Sequence, residues 1–78
     1  MVGNRVRAVF AEVFRIDPAI LARASSPDTV QGWDSFGHLE LVRALEHEFK
    51  ITFEVDDIAR METLGHIEEI VVRRGAAA

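Results

Sequence analysis

Two neighbouring groups stand out as able to do chemistry: the carboxylate of Asp34 and the hydroxyl of Ser35. They lie within Gly32-Trp33-Asp34-Ser35-Phe36-Gly37-His38-Leu39-Glu40-Leu41. Three imidazoles accompany them, His38, His47 and His66, and there is no cysteine. A serine, an acid and a histidine suggest a hydrolytic triad, but the spacing argues against one. Asp34 is adjacent to Ser35, His38 falls toward the core side of the helix that follows, and no Gly-x-Ser-x-Gly elbow is present. A metal site is not expected either. There is no i, i+4 histidine pair, and Glu46-His47-Glu48 sends its three side chains to different sides of a helix.

What remains is a hydroxyl at a helix start. The N-terminus of a helix carries unpaired backbone N–H groups and the positive end of the dipole, a setting that suits a bound anion. The local alternative is that Asp34 and Ser35 simply cap the helix, as Asp and Ser commonly do. The two roles are compatible, and the elements around the pair must decide between them.

The helix that begins there is the strongest periodic signal in the chain, from Ser35 to Lys50. At about 100° per residue, His38, Leu41, Val42, Leu45 and Phe49 share one face, with Leu39 on its flank. Phe36, Glu40, Arg43, His47 and Lys50 form the opposite stripe. Upstream, Val6, Val9, Phe10 and Val13 mark a first helix from Arg5 to Phe14, which Val2 could extend. Asp17-Pro18 signals a short helical turn over residues 18–23. The connection from Asp17 to Trp33 is long, and Ile20, Leu21, Val30 and Trp33 are its expected anchors.

Downstream, Ile51 to Val55 alternates but has no partner strand in so short a chain, so it reads as an extended link. Asp56 to Arg60 reads as a short helix. Thr63 is the expected cap of a last helix, Leu64 to Arg74, with Leu64, Ile67, Ile70 and Val71 inward and Gly75 at its end. The expected fold is all-α: a small bundle of three main helices and one short helix, with a long loop between the first two. Residues 1–78 form one domain, frayed at 1–4 and 75–78.

Composition sets limits on partners. The apolar share of 49% supports a packed core, and the net charge of −4 argues against a nucleic-acid surface. No apolar run reaches the roughly 18 residues that span a membrane, and no signal-type apolar core follows Met1 to Arg5. A monomer in the cytoplasm is expected, with no thiol of its own.

These residues carry a resemblance. Gly32-Trp33-Asp34-Ser35-Phe36, then Leu39-Glu40-Leu41-Val42 and Ala44-Leu45-Glu46-x-Glu48-Phe49, resembles the acyl carrier protein family, whose usual signature is Asp-Ser-Leu at the start of the second helix. Pro27-Asp28-Thr29, Phe49 to Phe53, Asp56-Asp57-Ile58 and Thr63-Leu64 extend the likeness to about Val72. The resemblance implies that Ser35 is esterified by the phosphate of 4′-phosphopantetheine, transferred from coenzyme A by a phosphopantetheinyl transferase. The arm would bring the thiol that the chain lacks. Asp34 would assist the transferase. Phe36, Glu40, Arg43, His47, Asp56 and Asp57 would face partners: an acyl- or aminoacyl-loading ligase and the synthase or transferase enzymes of fatty-acid, polyketide or specialised metabolite synthesis. Leu45, Phe53, Ile58, Met61 and Leu64 would line a space for an acyl chain.

The implied protein is a non-catalytic carrier. An aminoacyl or peptidyl carrier is the near alternative, disfavoured by Asp-Ser in place of the Gly-His-Ser common there. A helical interaction module without a prosthetic group is the distant one. The chain departs from the family pattern at Phe36, where leucine is usual, at Gly37-His38, and along the outer stripe. Fatty-acid carriers present a strongly acidic second helix, whereas this stripe sets Glu40 against Arg43, Lys50 and His47.

Overall fold

The computed structural model describes residues 2–75. It has four α-helices: α1 (Val2–Phe14), α2 (Ser35–Phe49), α3 (Val55–Ala59) and α4 (Leu64–Arg73). A single 3₁₀ turn, Pro18–Ile20, lies in the long loop after α1. No strand occurs among the described residues. The first helix takes in Val2 to Asn4, the forward extension that Val2 allowed. Met1 and Ala76 to Ala78 lie outside the described residues.

Helix α1 is the hub and packs against both α2 and α4. Val6, Val9 and Phe10 from α1 meet Leu41, Val42, Leu45 and Phe49 from α2 and Leu64, Ile67, Ile70 and Val71 from α4 in one buried core. The stripes read from periodicity are therefore the buried ones. Burying a side chain of this kind contributes about 1.5–3 kcal/mol, so packing rather than valine's helix propensity holds α1. The Arg5 guanidinium donates to the Glu48 main-chain carbonyl at 3.0 Å and lies 4.4 Å from the centre of the Phe49 ring. A cation thus sits where the end of α2 leaves carbonyls unpaired. Lys50 closes α2 in a left-handed conformation (φ 55°).

The long loop is a built element. Leu21, Val30 and Trp33 are buried and pin it to the core. Ile20, the fourth expected anchor, is 66% exposed. The helical turn stops at Ile20, and Leu21 follows in extended backbone and takes the inward position. The loop then joins α4. The N–H groups of Leu64 and Gly65 donate to the carbonyls of Ser25 and Arg23, each at 2.9 Å. The Arg23 guanidinium pairs with Glu68 at 2.7 Å and Glu69 at 3.0 Å. Exposed pairs like these are worth about 0.2–1 kcal/mol each, so the buried side chains and main-chain bonds do more to hold the loop.

Candidate functional site

Ser35 is the first residue of α2 and is exposed. Three features of the sequence put it there. Gly32 adopts φ +92°, a conformation that glycine takes without strain. It turns the loop so that its carbonyl crosses the first turn of α2. A Cβ on Gly37 would lie 2.0 Å from the Gly32 oxygen, so only glycine fits at residue 37. The Asp34 carboxylate then accepts from the Gly37 N–H at 2.8 Å, a side-chain cap on the helix. Among the described residues, the N–H groups of Ser35 and Phe36 donate to no protein acceptor. The hydroxyl of Ser35 therefore stands beside free donors at the positive end of α2.

Trp33, just upstream, is 2% exposed and packs edge-on against Phe10, with 5.0 Å between ring centres. Its indole N–H donates to His38 Nδ1 at 2.8 Å. The other imidazole nitrogen, Nε2, lies 3.1 Å from the Ile58 carbonyl of α3. An indole N–H only donates and a carbonyl only accepts, so this geometry fixes the ring as the neutral tautomer with its proton on Nε2. Gly37 and His38 had no evident role in the sequence. Their reasons lie in the Gly32 carbonyl five residues upstream and in α3 twenty residues downstream, and no local pattern announces either.

Beside Ser35 lies an open cavity of about 620 Å³ lined by Trp33, Asp34, Ser35, His38, Leu39, Ile58 and Met61, together with Pro27 and Ala59. Two of the five expected pocket residues, Ile58 and Met61, line it. Leu45, Phe53 and Leu64 do not; they are buried in the core beneath. Leu45 on the inward face of α2, Leu64 at the start of α4 and Phe53 in the link after α2 are all committed to that core.

The expected partner-facing residues divide as well. Phe36 is 72% exposed, and Glu40, Arg43 and His47 follow it along the outward face of α2. Asp56 is exposed on α3. Asp57 is not available to a partner. It is 4% exposed, receives the Arg74 Nε–H at 2.6 Å and accepts from the Glu54 N–H at 3.0 Å. The arginine at the end of α4 draws this carboxylate inward and, with the Glu54 N–H, holds it below the usual carboxylate range against the opposing effect of burial. Two acids at the margins of α2 are also used internally. Glu46 accepts from the Phe53 N–H at 2.8 Å, and Glu48 pairs with Arg5 at 3.1 Å.

The residues fit an attached phosphate. There is an exposed hydroxyl at a helix start, with free N–H donors and a mostly apolar recess next to it. Comparison with known proteins agrees. Residues 4–71 match the family model described as the phosphopantetheine attachment site, and the chain belongs to that family. It is a carrier domain of the acyl carrier protein type. It is similar in structure to the holo acyl carrier protein of Geobacter metallireducens, solved by NMR in solution. The TM-score is 0.85 at 26% identity, over 94% of this chain and 84% of that one. Its prosthetic group is phosphopantetheine.

Proposed function

We propose that Ser35 is the attachment residue and that the chain carries acyl groups between the enzymes of a specialised biosynthetic pathway. The observation that carries this reading is the exposed Ser35 hydroxyl at the open start of α2, next to the cavity. When bound, the group supplies a terminal thiol on which acyl groups are held as thioesters. The protein's own residues do the rest. The first-turn N–H groups of α2 favour a charged phosphodiester on Ser35 by about 0.3–1 kcal/mol. Asp34 holds the first turn through Gly37 and presents its exposed carboxylate to the transferase. Leu39, Ile58 and Met61 give the base of the arm an apolar wall.

The chain is thus a substrate of its partners rather than an enzyme: a transferase, a loading ligase and synthase-type enzymes. It works as a cytoplasmic monomer beside them. Phe36, Glu40, Arg43, His47 and Asp56 form the docking face. With Glu46 and Glu48 turned to internal bonds, Glu40 is the acid left on the outward stripe of α2, against Arg43. This pattern suits a partner offering an apolar recess for Phe36 and a carboxylate for Arg43.

Incubation with coenzyme A and a verified broad-specificity phosphopantetheinyl transferase tests the attachment. The intact mass should rise by one phosphopantetheine, and Ser35→Ala should abolish the gain. No gain in the wild-type chain would refute the assignment. Arg43→Glu tests the docking face. It should slow turnover by the cognate partner several-fold through the association rate. If it instead leaves cognate turnover intact and improves use by fatty-acid enzymes, the stripe works by exclusion; no effect on either removes the docking reading.

A further inference from the structure

Among the described residues, His38 is the one side chain hydrogen-bonded both to the segment preceding Ser35 and to α3. On one side it receives the indole proton of Trp33, two residues before the serine. On the other its Nε2–H donates to the Ile58 carbonyl, in the last turn of α3. Trp33, His38 and Ile58 all line the cavity beside Ser35, so this chain of two hydrogen bonds runs along the cavity wall. The imidazole and indole planes are within 13° of parallel, with 6.1 Å between centres. Trp33 is itself held by Phe10 and Phe14 of α1.

We propose that His38 is a positioning residue for the modification of Ser35. Its neutral ring ties the Trp33–Ser35 segment to α3 and so fixes where the serine hydroxyl stands. The proposal rests on the assignment of Ser35 as the attachment residue and goes beyond it. In the modification itself, a bond forms between Ser35 Oγ and the pantetheine-side phosphorus of coenzyme A. The diphosphate bond breaks, adenosine 3′,5′-diphosphate leaves, and the hydroxyl proton passes to a base on the transferase. Such a step is sensitive to the position of the attacking oxygen. The Asp34 cap anchors that oxygen within its own helix. His38 anchors it to the opposite wall of the cavity.

The chain has a single tryptophan, so one indole ¹H–¹⁵N signal reports the bond. The wild-type signal should be shifted downfield and exchange slowly with solvent. The variant His38→Leu should lose that shift, and its kcat/KM for phosphopantetheinylation should fall about tenfold. His38→Gln carries an acceptor and a donor on one planar group, and should restore both the indole shift and the rate to within about threefold of wild type. Trp33→Phe removes the same bond from the other partner and should slow transfer comparably, which serves if His38→Leu does not fold. A His38→Leu chain that loses the indole shift yet is modified at the wild-type rate would overturn the proposal. So would a His38→Gln chain that regains the shift but not the rate. Absence of modification in the wild-type chain would instead strike at the Ser35 assignment.

Discussion

Helices α2 and α4 begin with the same local chemistry and end up in opposite states. Each has a side-chain cap on the residue three positions on: Asp34 accepts from the Gly37 N–H at 2.8 Å and Thr63 from the His66 N–H at 3.1 Å. Each has a glycine in its first turn close to a loop carbonyl. In α4 the next two donors, the N–H groups of Leu64 and Gly65, are taken by Ser25 and Arg23 of the long loop. That helix start is a joint. In α2 the loop approaches from the side of Gly37, and the N–H groups of Ser35 and Phe36 stay free among the described residues. That helix start stays open to a ligand. Capping residues set where a helix begins; the path of the loop decides whether its positive end can serve a ligand.

Two perturbations test this contrast, and a third tests the inward turn of Asp57. The largest effect belongs to Gly37→Ala. The new methyl would meet the Gly32 oxygen at 2.0 Å, contact with main chain that can yield only by moving the loop. A loss of about 3 kcal/mol or more is expected from overpacking of this kind. At Gly65 the nearest atoms lie at 3.1–3.2 Å and two of the three belong to the Arg23 guanidinium. There the usual gain of about 0.5–1 kcal/mol for alanine in a helix should roughly offset the crowding. Urea denaturation of both variants checks the order, and equal losses would mean that the Gly32 carbonyl is not the constraint.

The caps come next. Asp34→Ala and Thr63→Ala should each cost about 1 kcal/mol of stability. Only Asp34→Ala should also slow the modification of Ser35, as read by mass spectrometry. A Thr63→Ala chain slowed as much would erase the distinction between the joint and the open start.

The smallest effect concerns the acid inside α3. Arg74, and after it the Glu54 N–H, hold the Asp57 carboxyl below its ordinary range. A carboxylate depressed in this way gives stability that is fully present above its unfolded pKa, near 3.9. That stability is lost as pH falls through the lower folded value. Thermal melts taken from neutral pH down past that range should show this loss in the wild-type chain and a flatter acid limb in Asp57→Asn. An unchanged limb would assign the acid sensitivity to other carboxylates.

What the sequence disclosed follows from the range of each interaction. The stripe of α2 and the caps Asp34 and Thr63 are local, depend on spacing alone, and stand in the structure where periodicity and residue type put them. The short α3 was legible from its acids, but the inward turn of Asp57 depends on Arg74, seventeen residues on. Glu46 and Glu48 look like surface acids until Phe53 and Arg5 are brought to them by the fold. Leu45, Phe53 and Leu64 are apolar and close to the right elements, but the packing of α1 between α2 and α4 claims them before any cavity can. Gly37 is the extreme case: its meaning lies in a carbonyl oxygen, a group every residue has and no sequence pattern marks.

Sealing Trp33 between Phe10, Phe14 and His38 has a practical consequence. As the chain's sole indole, it makes the protein its own fluorescent gauge, excited without interference from any second tryptophan. Its emission should be blue-shifted while the ring is dry and move to the red on unfolding. Because the fluorophore lies two residues from Ser35 and lines the same cavity, a shift of that emission when a group is attached at Ser35 would report the event without an extrinsic dye on so small a molecule.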